Sequence, residues 1–123
     1  MSQPAHSPTP LPQPPVQAEA IRATLAQVAP HLLDLFDKQR ARAKARAVAE
    51  TSPTPMRVFA ERWAVEVAVA RHPEAADRLR ALEAKVGEVT DPDEGMKVVS
   101  EISAIRRAAA IEAGIRPVSG SSQ

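Results

Sequence analysis

The sequence predicts an all-α protein, a small bundle of four to five short helices with a disordered Pro-rich N-terminal tail. Three observations carry that prediction. Apolar residues beyond position 18 recur at three- and four-residue spacing, the period of a helix. Alanine, the best helix former and a poor strand former, supplies much of the apolar content. Pro30, Pro55, Pro73 and Pro92 punctuate the chain where helices would begin. The one valine-rich stretch that suggests a strand, residues 65–69, has helical flanks.

Residues 1–17 hold six of the twelve prolines and are expected to form a disordered tail. Pro12 and Pro15 satisfy a P-x-x-P spacing, which any proline-rich run contains by chance. A leader is therefore favoured over a docking peptide. The folded domain is expected over 18–116, with a flexible tail over 117–123.

The first helix is expected at 18–28 and the second at 30–50. Ile21, Leu25, Val28, Leu32 and Phe36 keep one helical phase across Pro30. A continuous helix would carry an interior proline at a cost of ~3 kcal/mol, so two helices meeting at Ala29-Pro30 are favoured. Thr54-Pro55 opens a third helix, to about 71, and His72-Pro73 a fourth, to about 88. Asp91-Pro92 opens a fifth, with Asp93 and Glu94 in the first turn where acids suit the helix dipole. Its end near 113 is marked by Gly114, Ile115 and Pro117.

The apolar stripes indicate the packing. Ala75, Ala76, Leu79, Leu82, Val86 and Val89 form one face of the fourth helix; Val98, Val99, Ile102, Ile105 and Ala109 form one face of the fifth. The third helix has two arcs: Met56, Phe59, Trp63, Val67 and Ala70, and then Val58, Val65 and Val69. An element apolar on two sides belongs at the centre. Large core residues are scarce, with two Phe, one Trp and no Tyr among 123 residues. A modestly stable core follows, because small side chains bury little surface.

Charge and composition bound the function. A net charge of +1 gives no global attraction to nucleic acid, so attraction must be local. Without cysteine there is no disulfide, thiolate zinc site or cysteine nucleophile. No apolar run approaches a membrane span, and the N-terminus lacks the basic start and apolar core of a secretion signal. A soluble cytoplasmic protein without membrane association is the expectation.

The stretch "DKQRARAKARAVAE", 37–50, places Lys38, Arg42 and Arg46 on one stripe and Arg40 and Lys44 on another, either side of Ala43 and Ala47. One reading is a helix that grips nucleic-acid phosphates. The favoured one is a solvated face balanced by acids, and residues 74–94 offer seven acids against three bases. Arg62 and Glu66, four apart beside Trp63, suggest an ion pair in an apolar seam. The functional reading is a polar hook for a small ligand or a partner's side chain; a structural pair fixing how helices pack is the plainer one. Trp63 is a core residue first and an interface anchor second.

Catalytic and metal signatures are missing from the sequence. "DPDEG" at 91–95 has Met96 and Ile102 where a calcium loop needs Gly and Glu. His6, His31 and His72 form no pair at metal-ligand spacing, and no phosphate-cradling or nucleophile-elbow motif occurs. The expectation is a protein that is not an enzyme and has no cofactor and no metal.

The stretches "IRATLAQVAPHLLDLF" (21–36) and "RWAVEVAVARHP" (62–73) resemble a family of small, helical actinobacterial proteins of unknown function. Some of its members sit beside genes for small mRNA-cutting toxins. The shared features are Ile21-Arg22, Leu25, Val28-Ala29-Pro30-His31, Phe36, and Arg62-Trp63 with a basic residue and proline about ten further on. The resemblance covers residues 20–90 and consists of core positions and helix punctuation. It implies an antitoxin-like or regulatory role and transfers no catalytic residue.

Three functions are weighed. The first is a non-enzymatic interaction module that binds a protein partner or forms a homodimer, through Arg62, Trp63, Glu66, Asp77 and Glu83. The second is a nucleic-acid binder using Lys38, Arg40, Arg42, Lys44 and Arg46. The third is a small-molecule-binding bundle with its site near Trp63.

Overall fold

The computed structural model describes residues 11–115, and every regular element in it is helical. The order is α1 (Ala18–Val28), a 3-10 turn (Pro30–Leu32), α2 (Leu33–Glu50), α3 (Thr54–Ala70), α4 (Pro73–Val86) and α5 (Pro92–Glu112). Residues 1–10 and 116–123, which include most of the expected N-terminal tail and all of the expected C-terminal one, lie outside the described residues.

Proline and glycine set the boundaries much as their chemistry requires. Pro30 separates α1 from α2: Ala29 leaves the helical region (φ -154°, ψ 63°) and the chain re-enters through a single 3-10 turn. Asp91 caps α5, its Oδ2 accepting from the Glu94 N–H at 3.0 Å. Gly114 sits at φ 78° beyond the end of α5. Its N–H donates to Ile111 O, and that of Ile115 to Ala110 O, so two otherwise orphaned carbonyls are satisfied. The start of α3 lies one residue earlier than expected. Ser52 Oγ, rather than the Thr54 side chain, accepts a hydrogen bond there, from Thr54 N–H at 3.1 Å.

The end of α2 uses the same two-bond closure with a less suitable residue. Thr51 takes the left-handed conformation (φ 50°, ψ 52°), and the Thr51 and Ser52 N–H groups donate to Val48 O and Ala47 O. A β-branched side chain is strained in that region.

α3 is the hub and packs against α1, α2, α4 and α5. Phe59, Trp63, Ala64, Val67, Ala68 and Val69 on it are buried. On the α1–α2 side the core is Ile21, Leu25 and Phe36, with the Phe36 ring 5.0 Å from Phe59 and 5.2 Å from Trp63, centroid to centroid. On the other side Leu79, Ala109 and Ala113 complete the same cluster. Fully burying a Leu, Val or Phe side chain contributes roughly 1.5–3 kcal/mol.

The second arc expected on α3 is only partly used. Val69 is buried and Val65 half-buried, but Val58 is 52% exposed because it lies at a groove rather than under a helix. Val86 and Val99 are also exposed.

Residues 11–17 differ from the disordered segment expected there. Pro14 is buried, Gln13 Nε2 donates to Ala64 O at 3.0 Å, and Arg71 Nε donates to Leu11 O. This arm lies against α3 without forming a helix of its own.

Candidate functional site

The five basic residues of α2 do not share one environment. Lys38 pairs with Asp34 (3.2 Å), Arg40 with Glu19 (2.6 Å) and Arg46 with Glu50 (3.1 Å). Beside them Arg22 makes a two-point bond to Asp37, with contacts of 2.8 and 2.7 Å. The hydrogen bond and charge of Arg40 hold the Glu19 carboxyl below its usual range, and Arg22 does the same for Asp37. Among the described residues Arg42 and Lys44 have no acid partner.

The balancing acids therefore come from α1 and from α2 itself, not from residues 74–94. Those acids meet bases on α4 and α5 instead. Arg106 bonds Glu83, Lys85 lies 3.6 Å from Glu94, and Asp77 bonds Arg80. α4 and α2 are on different sides of α3, so neutrality across the whole sequence never becomes contact.

Arg42 and Arg46 from α2 and Arg62 from α3 line a groove between the two helices. Ala43, Pro55, Val58 and Phe59 provide its apolar walls, and Gln39, Glu50 and Thr54 complete the lining around a volume of about 490 Å³. The antiparallel α2–α3 hairpin makes this arrangement: the Phe36–Phe59–Trp63 contacts fix the register, which sets Arg62 beside Arg42. Arg62 is exposed and has no acid partner among the described residues. Thus one residue proposed for a protein partner stands with two proposed for nucleic acid.

The expected Arg62–Glu66 pair is not made. Glu66 turns to α5, where Arg106 bridges Glu66 (3.2 Å) and Glu83 (2.9 Å). Arg before Glu is the weaker order for a helical pair, and Arg106 serves two carboxylates at once. Burial works against the Arg106 charge, but those carboxylates outweigh it and its pKa is raised. Glu66, Asp77 and Glu83 do come together, on the rim of a second groove of about 390 Å³ between the α1–α2 junction and α4. There Arg80 and Arg106 already engage them.

Trp63 is 3% exposed and its Nε1 donates to Gln39 Oε1 at 2.9 Å. It is a core residue whose polar atom is satisfied inside the α2–α3 hairpin, so it presents no surface to a partner. Sequence reasoning missed Gln39, Arg71 and Arg106. Arg106 had a signal, since it flanks the Ile102–Ile105–Ala109 stripe, where a long arginine stem can lie on apolar surface.

Among the described residues no group of three His, Asp or Glu side chains could hold a metal ion, and no helix is long and apolar enough to cross a membrane. Comparison with known proteins finds no matching family model, no similar curated protein and no similar solved structure.

Proposed function

We propose that the chain is a non-enzymatic binding module that holds a carboxylate-bearing segment of a protein partner in the α2–α3 groove. The observation that carries this reading is the state of its charges. Arg42 and Arg62 line one groove from two helices without an acid partner among the described residues, and Arg46 beside them shares only Glu50. Guanidinium groups so placed can receive a carboxylate in the two-point geometry that arginine favours. Half-exposed Val58 gives an aliphatic neighbour on the same partner something to cover.

A phosphate backbone suits the site less well. It needs a track of available cations, and three of the five on α2 are held by Asp34, Glu19 and Glu50. The apolar walls also offer nothing to a phosphate. An antitoxin-like role would bring a basic partner to residues 74–94, where three of the seven acids, Asp77, Glu83 and Glu94, are already paired. The arginine groove is therefore the better-supported surface.

The test is fluorescence anisotropy with two probes of equal charge: a short peptide alternating Glu and Leu, and a single-stranded oligonucleotide. Wild type binds the peptide more tightly, and the R42E/R62E variant binds it about tenfold or more weakly, consistent with losing two charged hydrogen bonds. Tighter oligonucleotide binding would support the phosphate reading in its place. Equal peptide binding by the variant, with helical circular dichroism retained, overturns the proposal.

A further inference from the structure

The proline-rich arm raises a question that the arginine groove does not answer: why does α3 have fitted partners for a segment that cannot form a helix? Prolines 12, 14 and 15 carry no N–H, so the arm cannot join a ladder, but its carbonyls remain free acceptors. α3 supplies the matching groups. Arg71 Nε donates to Leu11 O, and Arg71 Nη1 donates to Gln13 Oε1 at 3.2 Å. The Gln13 amide in turn donates to Ala64 O at 3.0 Å, so both ends of that side chain are used. The Arg71 side chain is only 9% exposed and is anchored from behind by Glu112 of α5 at 3.2 Å.

We infer that the α3 surface from Ala64 to Arg71 is a receptor for an extended proline-rich strand, occupied in the isolated chain by its own residues 11–14 and open to a competing strand from a partner protein. Recognition runs through three features: a carbonyl at position 11, a carboxamide at 13 and a proline ring at 14, which is buried. Pro12 and Pro15, the P-x-x-P pair of the sequence, are both exposed and do not carry the contact. The pattern read is Leu-x-Gln-Pro. Ala64 and Arg71 lie on the far side of α3 from Arg62, given the helical repeat, so this surface is independent of the arginine groove.

The arm can give way without loss of the bundle. One buried proline ring and three hydrogen bonds barely offset the ordering of a segment this long. Opening it breaks no hydrogen bond between helices, and Arg71 keeps its pair with Glu112. The arm holds its place because it is tethered, which gives it a high effective concentration against any strand in solution.

The experiment uses the full chain and a labelled peptide spanning residues 9–17. Wild type binds it weakly, since its own arm competes. A Q13A/P14A variant, which loses both hydrogen bonds of the Gln13 side chain and the buried proline ring, binds the same peptide at least about tenfold more tightly. A peptide with its Gln replaced by Ala loses that gain, as does adding R71M to the variant. A concentration-dependent dimer of wild type by light scattering, absent in Q13A/P14A, would assign the strand to a second copy and overturn a separate partner as its source. No gain in peptide affinity in Q13A/P14A, with unchanged circular dichroism and Tm, overturns the inference. So does equal binding of the two peptides by that variant.

Discussion

The α2–α3 hairpin depends on Phe36 more than on any other side chain of α2, and the Phe36→Ala substitution measures that dependence. Phe36 is the one buried residue of α2, with no exposed surface, and its ring meets Phe59 at 5.0 Å and Trp63 at 5.2 Å. Truncation removes the transfer energy of the ring and leaves a cavity lined by rigid aromatics, a combination that costs about 3–5 kcal/mol. Aromatic pairing beyond area burial accounts for about 0.5–1.5 kcal/mol per pair, which favours the upper part of that range. A domain of this size has a stability on the order of 5–15 kcal/mol, and a core built of small side chains belongs near the bottom. The variant should therefore lose most of its stability, with Tm lower by roughly 15–40 °C. Urea unfolding followed through Trp63 reads the effect directly, because Trp63 is the sole tryptophan and is buried in the same cluster. Circular dichroism should give the same midpoint if unfolding is two-state. Phe36→Leu, which keeps most of the volume, should cost about 1.5 kcal/mol or less. A loss below about 1.5 kcal/mol for Phe36→Ala, or one no greater than that of Val48→Ala at a 79% exposed position, would refute the packing argument. The same variant should weaken the acidic-peptide binding proposed above, since Arg42 and Arg62 keep their spacing only while α2 lies on α3.

Two other perturbations act locally. Thr51→Gly removes a side chain from a left-handed position, and should stabilise the chain by about 1 kcal/mol after the entropy cost of glycine is subtracted; an unchanged or lower urea midpoint would count against the strain. Acidification acts through Glu19, Asp37 and Glu101, whose carboxyls are held below their usual range by Arg40, Arg22 and Arg78. A pKa lowered by folding means that the unfolded chain binds protons more readily, so the contribution is present above about pH 4 and is lost as pH falls through the lower folded values. Tm should be flat from about pH 7 to 5 and fall below about pH 4, with a smaller fall in Asp37→Asn; an identical acid profile in that variant would show that the Arg22 pair contributes nothing.

Local chemistry was easy to read from the sequence and spatial chemistry was not. Pro30, Pro73, Asp91-Pro92 and Gly114 mark their boundaries because each acts on its own backbone within a turn. The central place of α3 was also legible, since Phe59, Trp63 and Val67 on one arc and Val69 on the other need neighbours on two sides. Thr51 escaped notice because threonine carries no left-handed signal; closing α2 there overrode the residue's preference. The Arg62–Glu66 pair failed for a different reason. Spacing along one helix says which side chains could meet, but Arg106, forty residues beyond Glu66, offered a better partner. The arm shows the same limit: nothing in a proline-rich run announces that Gln13 will find Ala64 and Arg71.

The charge pattern shows why composition misleads for a bundle built around a hub. Residues 38–62 hold seven basic side chains and two acids, while residues 74–101 hold eight acids and four bases. These would cancel if the two segments touched. α3 lies between them, making contact with α2 on one side and with α4 and α5 on the other. Each half must then find its own counter-charges: α2 takes Glu19 from α1 and Asp34 and Glu50 from itself, while Arg106 and Arg78 of the other half take Glu66, Glu83 and Glu101. The basic half has fewer acids to draw on, so Arg42, Lys44, Arg57 and Arg62 are left over among the described residues. A protein that is almost neutral as a whole thus keeps a locally uncompensated groove, and the proposed acidic partner would act on that excess.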